Sequence, residues 1–267
     1  MIRGGREVGA IQYQIRLFLL AVSFLTIIPA RSNHIATERE MAESLRYYPI
    51  VGILIGLILA ATAYLANALG LGLGGDALII VLWLILHGGL HADGLMDTAD
   101  GVFSGKERSK VLEIMRDSRV GAMGVLVFVA NVLLKFAFLA SLPVNIKMWA
   151  LLLAPVLGRA MIVYAIKYYP YARSGSGLGK SYGSYVTTNI VIVAMITVVA
   201  VSVLASPVAS LFGMLIILLA ATAAALFVHW IAGKLGGHTG DTYGATCEVS
   251  ETLLIIFAVM GLKGFYG

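Results

Sequence analysis

Charge is scarce in this 267-residue sequence. Only 12% of its residues are Asp, Glu, Lys or Arg, against 60% that are hydrophobic, and the mean hydropathy is +0.92. A soluble domain carries about a quarter charged residues, so a soluble globular chain is excluded. Cysteine is nearly missing as well. With Cys247 alone, the chain has neither an intrachain disulfide nor a cysteine-built metal site. Strand-like alternation is also absent. The apolar runs are continuous, as from Ile190 to Leu204, which excludes a spanning barrel and leaves a helical bundle.

The runs themselves cover roughly 15–30, 49–71, 77–90, 120–142, 148–166, 186–205, 208–232 and 249–265, most of them near the ~20 residues that a helix needs to cross hydrocarbon. They predict an all-α, polytopic membrane bundle of seven to eight helices, a single membrane-embedded domain over 1–267. Arg3, Arg6 and Arg16 before the first run imitate a signal peptide. No clear small-residue cleavage site follows, so the segment reads as an uncleaved helix.

When alternate loops are assigned to the two sides, the basic residues separate. Loops 31–48, 91–119, 167–185 and 233–248 hold most of them, whereas the opposite side holds Arg3, Arg6, Arg16, Lys147 and Lys263. By the positive-inside rule the first group is cytoplasmic. The three N-terminal arginines fit this badly, which suggests a first helix lying in the interface or re-entering rather than spanning. The net charge of +5 then reports topology and not affinity for nucleic acid. Apart from Glu7 and Asp76, every carboxylate falls in or beside the cytoplasmic loops. A proton pump or ion-coupled transporter carries a carboxylate near the midplane, so this distribution points to chemistry at the membrane surface.

The acids gather in two places. Asp93, Asp97 and Asp100 stand at i, i+4 and i+7, which puts them on one face if the segment is helical. Carboxylates that close repel, and a cation among them relieves the repulsion. Oxygen donors without Cys or paired His suit a hard ion, Mg²⁺ or Mn²⁺. The plainer reading is an acidic turn offset by Lys106, Arg108 and Lys110. The second group, Asp241, Glu248 and Glu251, is assigned to the same side, as if the two were halves of one site. Arg159 and Lys135 lie within spans, where a charge needs a partner or an anionic ligand. An arginine fork suits phosphate oxygens, and a neighbouring acid would satisfy it equally. Loop 168–184, rich in Gly, Ser and Tyr, carries Arg173 and Lys180 but lacks the context of a P-loop. His87, His91 and His238 read as packing or hydrogen-bonding side chains. Thr37 and Glu40 have the spacing of a capping box.

Taken together, the segments Phe24–Pro29, Arg46–Gly52, His91–Gly101 (HADGLMDTADG), Leu112–Gly124 (LEIMRDSRVGAMG), Leu157–Arg159, Tyr171–Arg173, Gly177–Gly179 and Gly236–Ala245 resemble the cobalamin synthase family, the adenosylcobinamide-GDP ribazoletransferases of bacterial and archaeal cytoplasmic membranes. The third and fourth segments carry the specificity. Ile27 and Met96 depart from the residues common there, and neither is a proposed site residue.

The resemblance implies a Mg²⁺-dependent transfer at the cytoplasmic face. In it the hydroxyl of α-ribazole, or of its 5′-phosphate, attacks adenosylcobinamide-GDP and GMP leaves. Such a step needs charge neutralisation, a proton acceptor and cationic groups on the phosphates. The expected metal set is Asp93, Asp97, Asp100 and Asp117, with Asp100 or Asp117 as base. Arg116, Arg119 and Arg159, with Arg173 and Lys180, are expected on phosphate oxygens, and Asp241 and Glu248 in the metal or ribazole shell. The expected partners are these small molecules and the lipid bilayer. A homo-oligomer has no sequence signal of its own. Two alternatives remain. Asp97-x-x-Asp100-Gly101 opens the CDP-alcohol phosphotransferase pattern but lacks its continuation, and a corrinoid or cation permease would use the acids as a gate.

Overall fold

The computed structural model describes residues 3–30, 35–173, 185–205 and 210–266. The chain runs through α1 (Arg3–Leu25), α2 (Glu38–Ser44), α3 (Tyr48–Ala68), α4 (Gly72–Leu86), α5 (Leu90–Val102), α6 (Arg108–Ile114), α7 (Ala122–Ala140), α8 (Val144–Tyr168), α9 (Thr188–Ala205), α10 (Ser210–Leu235) and α11 (Gly240–Tyr266). The fold is an all-α polytopic membrane bundle. Six of the described helices are long and apolar enough to cross a membrane: α3, α7, α8, α9, α10 and α11. The helices α4 and α5 pass that test only together, bent by 88°. Gly88 and Gly89 make the elbow with φ of 58° and 73°, values that few side-chain-bearing residues adopt. After the elbow α5 runs across the bundle. With thirteen residues and three aspartates, it is too short and too polar to span by itself.

Glycines set how closely the core helices approach. Gly52 and Gly56 face α8 from α3, where an added Cβ would lie 2.6 Å from Pro155 O and 2.5 Å from Leu152 O. This is the small-xxx-small contact that lets membrane helices meet backbone to backbone. Gly158 does the same toward α11, with Cys247 Sγ 2.8 Å from an added Cβ. Helix α8 is consequently buried along most of its length.

At the N-terminus the apolar part of α1 is only Ile11–Leu25, and the helix packs on α2. Arg16 pairs with Glu40, the Tyr13 hydroxyl donates to Glu43 at 3.1 Å, and the Tyr47 hydroxyl donates to Gln14 at 2.7 Å. Arg16 therefore lies beside α2, not across the membrane from it, which corrects the side expected from sequence. The Thr37–Glu40 capping box is present as spaced.

The last helix differs more. Sequence reading ended a loop near residue 248, but α11 begins at Gly240, so Glu248 and Glu251 sit two and three turns inside a span. The hydroxyls in this stretch bond back to the helix. Thr246 donates to Thr242 O at 2.8 Å, Ser250 to Thr246 O at 2.6 Å and Thr252 to Glu248 O at 3.0 Å. Polar residues that look like a loop can be buried in a helix by this means.

Candidate active site

Two features meet where α5 crosses α11: an open-mouthed cavity with acids in its wall, and beneath it a closed network of charges. The crossing is a glycine contact. A Cβ on Gly94 would lie 2.6 Å from Asp241 O, and one on Gly244 3.1 Å from His91 O. Because the backbones touch, Asp93 and Asp97 come up beside Asp241. A cavity of about 330 Å³ opens here, lined by Phe24, Leu25, Tyr48, Ile162, Ile166, Tyr171 and Tyr243 on its apolar walls and by His91, Asp93, Arg173 and Asp241 among its polar groups.

The carboxylates here disturb one another. Partial burial, then the charges of Asp93, Asp241 and Asp100, raise the Asp97 carboxyl to about 6, with Arg173 opposing them. Arg173 donates to Asp241 Oδ2 at 2.7 Å, and the Thr239 hydroxyl donates to the same oxygen at 3.2 Å. The segment carrying Arg173 is pinned. Ala172 N donates to His238 O at 2.7 Å, His238 N to Pro170 O at 2.9 Å, and Arg108 to Ala172 O at 2.8 Å. Burial lowers the His238 imidazole to about 4, and its nitrogens face Thr242 and the carbonyl of Val228. It packs and bonds, as a structural histidine does.

Asp100 has a different task. Its Oδ2 accepts from Gly121 N and its Oδ1 from Gly124 N, each at 2.7 Å, so it caps the start of α7 from a neighbouring helix. An added Cβ on either glycine would collide with the carboxylate. Asp117 is bound to Arg119, with Nη2 2.6 Å from Oδ2. Those bonds lower it to about 2. Arg116 and Arg119 are exposed in the turn before α7, and Lys180 lies outside the described residues. Among the described residues, no three His, Cys, Asp or Glu side chains stand close enough to enclose a metal ion as they are.

Arg159, Glu248 and Glu251 belong to the network below. Lys135 donates to Glu248 Oε2 at 2.7 Å and to Glu251 Oε2 at 2.6 Å, and lies 4.4 Å from the centre of the Trp83 ring. Arg159 pairs with Glu251 Oε1 through Nη1, while its Nη2 is 3.3 Å from His91 Nδ1. Asn131 donates to Glu248 at 2.8 Å, and His87 Nε2 lies 3.5 Å from Glu248 Oε1. Two cations and two anions thus cancel, all of them buried. The structure gathers Asp93, Asp97, Asp100, Asp241 and Arg173, and keeps Arg159 and Glu248 apart from that group. Among the described residues, His91, expected from sequence to be a packing side chain, lines the cavity and also reaches the network through Nδ1; its place two residues before Asp93 is the available signal.

Residues 17–259 match the profile of the family Cobalamin-5-phosphate synthase. The chain belongs to this family. Cobalamin synthases of similar sequence include the adenosylcobinamide-GDP ribazoletransferase of Desulforamulus reducens, 44% identical over 91% of this chain and 95% of that protein. Those of Acetivibrio thermocellus and Roseiflexus sp. are 42% and 40% identical, over 91% and 88% of this chain and 96% and 86% of theirs. No solved structure matches. The resemblance read from the HADGLMDTADG and LEIMRDSRVGAMG segments is thereby shown, and cobalamin synthase membership makes the chain a transferase of cobalamin biosynthesis rather than a permease.

Proposed function

We propose that this protein joins adenosylcobinamide-GDP to α-ribazole, or to α-ribazole 5′-phosphate, giving adenosylcobalamin or its 5′-phosphate and GMP, at the cytoplasmic face of the cell membrane. The observation that carries the reading is that Asp93, Asp241 and Arg173 line a cavity with largely aromatic and aliphatic walls, with Asp97 close enough to feel the charges of both aspartates. A flat heteroaromatic nucleoside suits the walls, and a diphosphate suits the charged end.

The residues fit Mg²⁺ as the resident ion. Burial and then the charges of Asp93 and Asp241 disfavour the Asp97 carboxylate, and a cation among these acids would offset both. Mg²⁺ is commonly held by one or two carboxylates, with waters and substrate phosphates completing its shell, so an all-protein cage is not required. Asp93 and Asp97 would hold it. When bound, it supplies neutralisation of the diphosphate and of the leaving GMP. The other roles fall to the chain. Arg173, at the cavity, takes phosphate oxygens, with Arg116, Arg119 and Lys180 from flanking segments supplying further positive charge. Asp241 orients the ribazole hydroxyl and accepts its proton. Both bonds to its side chain fall on Oδ2, which leaves Oδ1 for the hydroxyl. Asp100 and Asp117 are committed to backbone amides and to Arg119, so neither is assigned the proton.

The test uses the protein in lipid nanodiscs with labelled adenosylcobinamide-GDP, α-ribazole and Mg²⁺. Corrinoid product and GMP in equal amounts are expected, with both lost in Asp93→Asn and Asp241→Asn. Turnover of CDP-diacylglycerol in place of adenosylcobinamide-GDP would overturn the reading.

A further inference from the structure

Among the described residues, His91 alone is shared by the cavity wall and the buried charge network. The residue lines the cavity, while its Nδ1 lies 3.3 Å from Arg159 Nη2. A guanidinium has five donors and no acceptor, so Nδ1 must offer a lone pair and the ring proton must sit on Nε2. Arg159 is not free to turn away. Its Nη1 is paired with Glu251, both residues are fully buried, and Glu251 is in turn held by Lys135 at 2.6 Å. The chain Lys135–Glu251–Arg159–His91 is thus fixed from within the bundle and ends at the cavity.

We infer that Arg159 is a positioning residue that locks His91 as an Nε2–H donor, and that His91 uses this donor to hold the unsubstituted ring nitrogen of the heteroaromatic nucleoside in the cavity. The inference rests on the proposed use of the cavity for the ribazole substrate. The same logic sets the tautomer of metal-bound histidines, where the partner of one ring nitrogen decides what the other presents. Here it makes the site selective for a base with an sp² nitrogen at that edge. A base carrying C–H in the same place would bury the donor without a partner, which costs more than the bond itself is worth.

Two measurements test it. In ¹⁵N-histidine-labelled full-length protein in nanodiscs, the imidazole signal that disappears in His91→Gln is expected to show the Nε2–H tautomer. A proton on Nδ1 overturns the inference whatever the enzyme turns over. In equilibrium binding to the wild-type protein, the indole riboside that lacks the ring nitrogen is expected to bind about tenfold or more weakly than α-ribazole. His91→Gln, whose amide reaches the Nε2 position, is expected to keep the preference, and His91→Asn, whose amide reaches only the Nδ1 position, to lose it. Equal binding of the two ribosides to wild type, or equal loss in both variants, overturns the inference while leaving the ribazoletransferase reading intact. That reading fails separately, if the wild-type protein forms no corrinoid product.

Discussion

Lys135→Met tests whether the buried charges act as one unit. The substitution keeps an unbranched apolar stem and deletes the ammonium group. Three contacts go with it: Glu248 Oε2 at 2.7 Å, Glu251 Oε2 at 2.6 Å and the Trp83 face at 4.4 Å. The network passes from zero net charge to one excess carboxylate in a membrane interior. Breaking a buried pair by removing one partner costs about 3–5 kcal/mol. The lower end applies here, because Glu251 retains Arg159 and Glu248 retains Asn131, so we expect about 3 kcal/mol. Unfolding in mixed micelles titrated with dodecyl sulfate measures it. The control is Lys135→Met with Glu248→Gln, which restores neutrality while the Gln carbonyl still accepts from Asn131. It should recover at least about half of the loss. The reasoning is refuted if Lys135→Met costs under about 1 kcal/mol, or if the double variant loses the sum of the two single changes.

Other outcomes follow from the α5–α11 crossing and the acids around it. Gly94→Ala drives a methyl group toward Asp241 O, 2.6 Å from its Cβ, so turnover should fall at least about tenfold for a 1 Å displacement of Asp93 from Asp241, with the protein still inserted and extractable as folded. Asp100→Asn points an amide N–H₂ at one of two backbone donors. A lost buried acceptor costs about 1–3 kcal/mol, and faster hydrogen exchange confined to residues 115–124 would show it. Binding of Mn²⁺, followed by electron paramagnetic resonance, should weaken as pH falls through about 6. The Asp97 carboxyl, raised to about 6 from the usual 3.8 by burial and its acidic neighbours, holds its proton below that pH and must lose it to bind the ion. Affinity that is flat from pH 5 to 7 would remove Asp97 from the ligand set.

The spans were readable because an apolar run near 20 residues has one common outcome in a bilayer. The acidic face of α5 was readable because helical spacing is local, and i, i+4 and i+7 need no knowledge of the partner helix. What failed was non-local. Lys135 and Arg159 announced that each needed a partner, but the partners lie 113, 116 and 92 residues away in sequence, and nothing in the intervening chain selects Glu248 and Glu251 over Asp241. The hydroxyl- and glycine-rich start of α11 hid the answer by imitating a loop, which moved both glutamates out of the bundle on paper. With α11 beginning at Gly240, Glu248 and Glu251 put acid inside the spans, but not in the manner of a transport path. A transport path needs charges that exchange partners along a route. Here Lys135, Arg159, Glu248 and Glu251 cancel in one closed cluster and tie α7, α8 and α11 together beneath α5, with His87 and His91 reaching it from either side of the Gly88–Gly89 elbow. Such a cluster steadies the elbow, and the glycine crossing of α5 on α11 then sets Asp93 and Asp97 beside Asp241.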